Sequence, residues 1–350
     1  MNEFNLDAYD YDLPQDLIAQ RPVPERDKSR LLVLDRNRGV ISHHSFFELP
    51  NFLRPGDCLV LNDSKVFPAR LLGKKETGGK VEIFLLHFPA LKDPNKGDVK
   101  ALAKSSKGLK PGQKIFFENG LNAQVKTVLQ KGEVKIELCS NGTPLVETLC
   151  RCGQVPLPPY IKRAPSLEDS SRYQTIYAAK EGSVAAPTAG LHFTSHILQK
   201  LEEAGVKVCS ITLHVGYGTF APIRVDDIRK HEIHTEWLDI PQKTATLINR
   251  TKASGGRVVA VGTTSVRALE FAAQNGKNVK DMQGECNLYI CPGHKFKIVD
   301  AMLTNFHLPR SSLLVLVSAF AGRDKILAAY RQAVSKRYRF YSYGDAMFIS

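Results

Sequence analysis

No stretch of this 350-residue chain is apolar for long enough to cross a membrane. The longest mostly apolar run, Leu313 to Ala321, falls far short of the ~18 residues a spanning helix needs. Tryptophan occurs once, and seven cysteines are an odd number without framework spacing, for which reduced thiols in a cytoplasm are the simplest reading. The first twenty residues contain neither Lys nor Arg and carry five acids, the reverse of a signal or transit peptide. A cytoplasmic protein without membrane association is therefore expected. Acids are scarce overall: 35 Asp plus Glu stand against 48 Lys plus Arg, a net charge of +13. That excess favours a polyanionic partner, because neutralising phosphates releases condensed counterions. With 43% hydrophobic and 24% charged residues the chain reads as globular, and its length suggests roughly two domains of ~150 residues.

The segment 69–152 differs from its flanks. Short runs recur with turn chemistry between them: Arg70–Lys75, Thr77-Gly78-Gly79, Lys80–Phe88, Val99–Lys104, Leu109-Lys110-Pro111-Gly112, Gln113–Glu118, Asn119-Gly120 and Leu121–Leu129. Asn-Gly between apolar runs is a strong hairpin signal, because both residues tolerate positive φ. In Glu133–Leu138, Val134, Ile136 and Leu138 alternate with charged residues, the period of a half-buried strand. Five or six such strands predict a small antiparallel β-barrel. With 15 Lys plus Arg against 8 acids, the segment holds +7 of the +13. Its lysines, Lys74, Lys75 and Lys80 among them, serve either as guards of exposed strand edges or as an electrostatic landing surface.

The flanks read as α/β. Cys58–Leu61 is a strand before Asn62-Asp63-Ser64, and the helix-like Ser195–Ala204 precedes a strand over Val206–Leu213. Arg257–Val261 runs into Gly262-Thr263-Thr264-Ser265 and a helical stretch through Ala273. Ser312–Phe320 is a further apolar run ahead of the helical Lys325–Lys336. Alternating strands and helices imply a sheet covered on its faces. The predicted fold class is α/β (α+β): a main domain, discontinuous over 1–68 and 153–350, with an inserted barrel at 69–152. Pro156-Leu157-Pro158-Pro159 is the return linker.

Five stretches carry candidate chemistry. Gly262-Thr263-Thr264-Ser265-Val266-Arg267 either binds an anion on free backbone N–H groups or simply caps a helix. It lacks the P-loop and dinucleotide signatures. In Ala185–Thr194, small residues with Pro and Gly frame Thr188 and His192, the latter an acid/base candidate or a structural histidine. Leu213–Phe220 begins at a strand's carboxyl end; His214 is a second candidate, and Tyr217 or Phe220 either stacks a flat base or packs. His231-Glu232-Ile233-His234, with Cys286, Cys291 and His294, matches no common zinc spacing, so no metal is expected and His231 and Glu232 remain polar candidates. The fifth is Ala301–Arg310 with Lys336–Asp345, where Asn305, Phe306, His307 and Arg310 are followed by Arg337, Arg339, Tyr341, Tyr343 and Asp345. Basic and aromatic residues interleave there as they do where bases stack and phosphates are held, and equally as in an amphipathic strand.

Taken in order, these stretches resemble one family nearly end to end. The resemblance starts at Asp12-Leu13-Pro14, Leu17–Gln20 and Arg26–Leu32. It continues through Pro55-Gly56-Asp57, Asn62–Leu71, Thr77–Glu82, Pro156–Ile161 and Arg172–Ala178 into the five stretches above. The family is the S-adenosylmethionine:tRNA ribosyltransferase-isomerases of queuosine biosynthesis. Ser64-Lys65 stands where the family leads one to expect Thr-Arg, and Lys cannot reproduce a planar guanidinium contact. The resemblance implies transfer and isomerisation of the ribosyl moiety of S-adenosylmethionine, a consumed co-substrate. The acceptor is 7-aminomethyl-7-deazaguanine at the wobble position of tRNAs with GUN anticodons, and the products are epoxyqueuosine-tRNA, adenine and methionine. It implies no prosthetic group and a monomer.

That chemistry needs a base at the acidic carbon beside the sulfonium and a proton for departing adenine. His192, His214, His307 and Asp345 are the candidates. Asp63, Glu232 or Glu270 suits ribose hydroxyls or the surroundings of the sulfonium, and Arg267 or Arg310 the methionine carboxylate. Tyr217, Phe220 and Phe306 are candidates to stack a base. Arg70, Thr188, Thr263, Thr264, Ser265 and Asn305 complete the expected substrate set, and Lys65, Lys74, Lys75, Lys80, Arg337, Arg339, Tyr341 and Tyr343 the expected RNA contacts. Two other readings are a non-catalytic RNA-binding protein and a metal-dependent hydrolase built on His231, His234 and the cysteines.

Overall fold

The computed structural model describes residues 2–220, 222–274 and 276–350. At its centre lies the strand Cys58–Asn62, buried at every position. Lys207–Leu213 and Val258–Val261 flank it in parallel, and Ala301–Asn305 extends the parallel run beyond Val258–Val261. The C-terminal strand Ala346–Ile349 then runs antiparallel to Ala301–Asn305, followed by Arg30–Asp35 and the edge strand Val40–Ser45. Glu236–Ile240 and Met282–Cys286 complete nine strands on the opposite side. Strands covered on both faces need apolar residues throughout. Val258–Val261, Ala301–Asn305 and Ala346–Ile349 accordingly expose nothing.

Successive residues of a strand point to opposite faces, so one strand feeds two cores. Cys58 and Val60 join a core with Val266 and Leu269 of helix Thr263–Ala272, Ile248 of helix Gln242–Ala253, and Leu314 and Ile326. Leu59 and Leu61 face the other way, against Phe46, Phe193, and Ile197 and Leu201 of helix Ser195–Glu203.

The second sheet closes on itself. Arg70–Lys75, Lys80–Leu85, Lys96–Ser105, Glu133–Ser140, Leu121–Val128 and Lys114–Phe116 pair antiparallel in that order, and the last returns to the first. Ala90–Asp93 hangs outside the ring on Lys96–Ser105. At the Asn119-Gly120 turn both residues hold positive φ, 55° and 75°, as the sequence signal requires. Helix Leu145–Cys152 buries Leu145 and Leu149 in the barrel core, and Gln154 then pairs with Arg70 at the seam between the sheets.

The structure decides the form of the one apolar run that the sequence left unassigned. Ser312–Phe320 is not a strand but the start of helix Ser312–Ala321, whose first turn is capped by Ser311 Oγ accepting from Leu314 N. A run that is apolar all round is equally suited to a fully buried helix, and periodicity does not separate the two. Among the described residues no helix is long and apolar enough to span a membrane.

Candidate active site

A cavity of about 370 Å³ opens where the parallel strands end. This is where open α/β sheets bind ligands, because loops leaving adjacent strands diverge there. Gly262, at φ +88°, turns the strand Val258–Val261 directly into helix Thr263–Ala272. It places Thr263 and Thr264, with the first N–H groups of that helix, in the cavity wall. Those N–H groups have no partner within the helix and carry the positive end of its dipole.

The strand Ala301–Asn305 delivers Thr304 and Asn305 to the wall, and the chain continues along it through Phe306, His307 and Arg310. His307 is 8% exposed, and Thr304 Oγ1 lies 2.9 Å from its Nε2. Burial pushes its pKa down to about 3, so the ring is neutral at physiological pH. Phe306 is fully buried and packs edge-on to Tyr330 and Tyr338, so it shapes the wall from within an aromatic core. Arg310 sits at the rim with its side chain 47% exposed, 3.0 Å from Asp7. Thr188 and Tyr341 complete the expected residues found in the lining.

Several other candidates lie behind or beside this wall. His192 does not line the cavity; it is buried, with Nδ1 2.7 Å from Ser29 Oγ and Nε2 3.1 Å from Asn305 Nδ2. Ser265 is buried and donates to Val261 O. Arg267 forms a buried ion pair with Glu236, whose other oxygen accepts from Gly216 N and Thr219 Oγ1. It therefore braces the loop that puts Thr219 in the wall. Glu270 accepts backbone N–H bonds from Lys297, Ile298 and Val299. Burial opposes its charge, but His294 and these N–H groups hold the carboxyl below its usual range. Asp345 accepts from the backbone N–H groups of Arg30 and Arg339 and pairs with the Arg30 guanidinium. Arg267, Glu270 and Asp345 are thus engaged in holding loops.

His214 lies outside the cavity, stacked on Trp237 with Nδ1 2.7 Å from Ser64 Oγ, and burial lowers its pKa to about 4. Asp63 accepts from Thr212 Oγ1 at 2.6 Å, and burial raises its pKa. Arg70 is bonded to Glu82 and Gln154, Lys65 to Glu181, and Glu232 is exposed. Tyr217 meets Phe84 of the barrel edge-on at 5.4 Å, while Thr219 two residues on lines the cavity, so one short loop touches both units. The side chain of Phe220 lies outside the described residues.

Of the expected RNA contacts, Lys74 and Lys80 are exposed along a barrel groove with Lys104, Leu72 and Phe116. Lys75 is buried and its ammonium donates to Gly108 O. Arg337 is exposed beside Asp16, Arg339 donates to Arg21 O, and Tyr343 is buried and donates to Asp169. Sequence reasoning missed Thr304, Thr219, Ser342 and Tyr160 as wall residues. Tyr160 directly follows the Pro156–Pro159 stretch read as a linker, and that position beside an expected chain return was the one available signal. All seven cysteines are unpaired, and among the described residues no group of three or more His, Cys, Asp or Glu is placed to hold a metal ion.

A family model described as "Queuosine biosynthesis protein" matches residues 6–349. The chain is 50% identical over 347 residues to the S-adenosylmethionine:tRNA ribosyltransferase-isomerase of Geotalea uraniireducens, covering 98% of this chain and 99% of that one. It is 52% identical over 349 residues to the protein of the same name from Citrifermentans bemidjiense, again covering 98% and 99%. Among solved structures, the S-adenosylmethionine tRNA ribosyltransferase of Thermotoga maritima is 35% identical with a TM-score of 0.54, covering 98% of this chain and 100% of that one. The non-catalytic RNA-binding alternative finds no counterpart in these names.

Proposed function

The chain belongs to the queuosine biosynthesis protein family, and from that membership we propose that it is an S-adenosylmethionine:tRNA ribosyltransferase-isomerase. It transfers the ribosyl group of S-adenosylmethionine to the aminomethyl nitrogen of 7-aminomethyl-7-deazaguanine at the wobble position of GUN tRNAs, with isomerisation. Adenine and methionine leave. Residues 1–68 and 153–350 act as the catalytic unit of a monomeric cytoplasmic enzyme, and the barrel at 69–152 is a tRNA contact.

The observation that supports this reading best is the cavity wall: a neutral histidine, a helix N-terminus with two hydroxyls and a rim arginine share one apolar-lined space. His307 accepts the proton from the carbon beside the sulfonium. It is the one acid/base candidate that lines the cavity, since His192 has both ring nitrogens engaged, Asp345 is bonded to Arg30, and His214 lies elsewhere. Arg310 and the N–H groups at Thr263 and Thr264 take the methionine carboxylate. On the barrel, Lys74, Lys80 and Lys104 around the exposed Phe116 combine phosphate attraction with a stacking surface, the pairing used for unpaired nucleotides.

The test is mass spectrometry of an anticodon stem-loop carrying the precursor base, incubated with S-adenosylmethionine. The expected outcome is a ribosyl-derived mass gain on the RNA and stoichiometric free adenine, each requiring both substrates. Transfer of a methyl group instead would refute the assignment.

A further inference from the structure

Asn305 is 2% exposed and lines the cavity. Its Nδ2 lies 3.1 Å from the carbonyl oxygen of Tyr341 and 3.1 Å from His192 Nε2. A carbonyl only accepts, so the atom facing Tyr341 must be the amide nitrogen. The second N–H of that amide then points at His192 Nε2, which must be the unprotonated ring nitrogen. The ring proton sits on Nδ1 and is donated to Ser29 Oγ at 2.7 Å, and Ser29 donates in turn to Arg26 O at 3.2 Å. Every link of this relay runs one way, and a charged His192 would set donor against donor. Burial, aided by the charges of Arg26 and Arg339, keeps His192 neutral.

The relay leaves Asn305 Oδ1 as the remaining atom, buried and without a partner. A buried acceptor is costly to leave unmatched, so a ligand N–H is its natural complement. No carboxylate is among the described residues of the lining, and the N-terminus of helix Thr263–Ala272 adds positive potential. A single neutral amide oxygen compensates an alkylammonium poorly, so at this atom an uncharged N–H is the better match. A neutral ring amine fits, and Tyr341, whose ring lies 4.2 Å from that of Tyr160, offers an aromatic wall beside it.

We propose that Asn305 Oδ1 is the acceptor that selects the exocyclic amino group of the donor's adenine, and that His192 is a positioning residue holding it in that orientation. This rests on the function proposed above. The probe is an S-adenosylmethionine analogue in which hydrogen replaces the 6-amino group. The quantity read is the ratio of kcat/KM for the two donors with the precursor stem-loop, followed by release of adenine or purine. The wild type should favour the amino donor by ~10⁴–10⁵, the range for a site built to hydrogen-bond a substrate N–H. Asn305→Leu should bring that ratio to ~10² or below, the level a merely apolar pocket discriminates. Asn305→Ala reads the same ratio should the leucine variant not fold. His192→Phe should lower the ratio and raise KM more than it lowers kcat, and His192→Gln, whose amide oxygen accepts the same N–H, should restore it.

Damage to the fold alone would depress both donors equally. A wild-type ratio retained in an active Asn305 variant therefore overturns the inference while leaving the proposed function standing. Absence of nucleobase release from the wild type removes both.

Discussion

Among the buried polar side chains, Lys75, Ser140 and Thr148 belong to the segment 69–152, whereas the larger unit buries His192, His307, Asn305, Arg267, Glu236, Glu270 and Asp345. The barrel core is made of aliphatic residues with a few aromatics, and apart from Lys75 its charge lies outside, where Lys92, Lys126 and Glu137 pair. A solvated charge costs little and contributes little to stability. A buried one must be matched by named partners, as Arg267 is by Glu236. In the function proposed above, the contrast separates two ways of using polar residues: as a screened field that attracts a polyanion over a surface, and as fixed groups aimed at particular atoms. Losses should therefore be abrupt in the larger unit and graded on the barrel.

The sharpest way to break that contrast is His307→Ala. If the neutral ring accepts the proton, kcat should fall by ~10²–10⁴, with affinity for the stem-loop unchanged. Single-turnover kinetics beside a binding isotherm checks both. A loss below about tenfold would move the base elsewhere, and so would an acid limb near pH 6 in kcat, because burial keeps His307 uncharged well below that.

Next in size is the pH dependence of stability. His192 and His307 both have folded pKa values near 3, below the ~6.5 of an unfolded histidine. Between these values the unfolded chain binds the protons and the folded one does not. The stabilising contribution is thus complete above pH 6.5 and declines as pH falls toward 3. Each histidine should contribute a slope of up to ~1.4 kcal/mol per pH unit. Urea titrations between pH 7 and pH 4 should show it, and His192→Phe should remove about one proton's worth. An unchanged slope would mean that this histidine is not held neutral.

The smallest effects belong to the barrel. Replacing Lys74, Lys80 or Lys104 singly by Ala should weaken stem-loop binding a few-fold. Each replacement should reduce the slope of log K against log salt by about 0.7–0.9, with the thermal shift given by S-adenosylmethionine unchanged. A single lysine whose loss abolished binding would make the surface a specific site and erase the distinction between the two regions.

Legibility followed the same division. Barrel strands announce themselves locally: Val134, Ile136 and Leu138 alternate in the sequence and alternate in burial, and Asn119-Gly120 makes the turn its chemistry requires. The run Ser312–Phe320 shows the limit, since a fully buried helix and a fully buried strand write the same apolar string. The C-terminal strand Ala346–Ile349, wedged between Ala301–Asn305 and Arg30–Asp35, carries no local mark of either neighbour. Among single residues, His192 and His307 look alike in the sequence, each beside a phenylalanine. One is locked behind the wall and the other lines it.

By itself, then, the amino-acid order determined the strands of the inserted barrel, a part of the flanking elements, the surplus of positive charge and the family, because periodicity, turn residues and motif order are properties of neighbours along the chain. Only the folded molecule decided which polar groups meet. Asn305 and His192 are 113 residues apart, and Ser29 and His192 are 163 apart. Those contacts come from the packing of nine strands, and no spacing between consecutive residues encodes them.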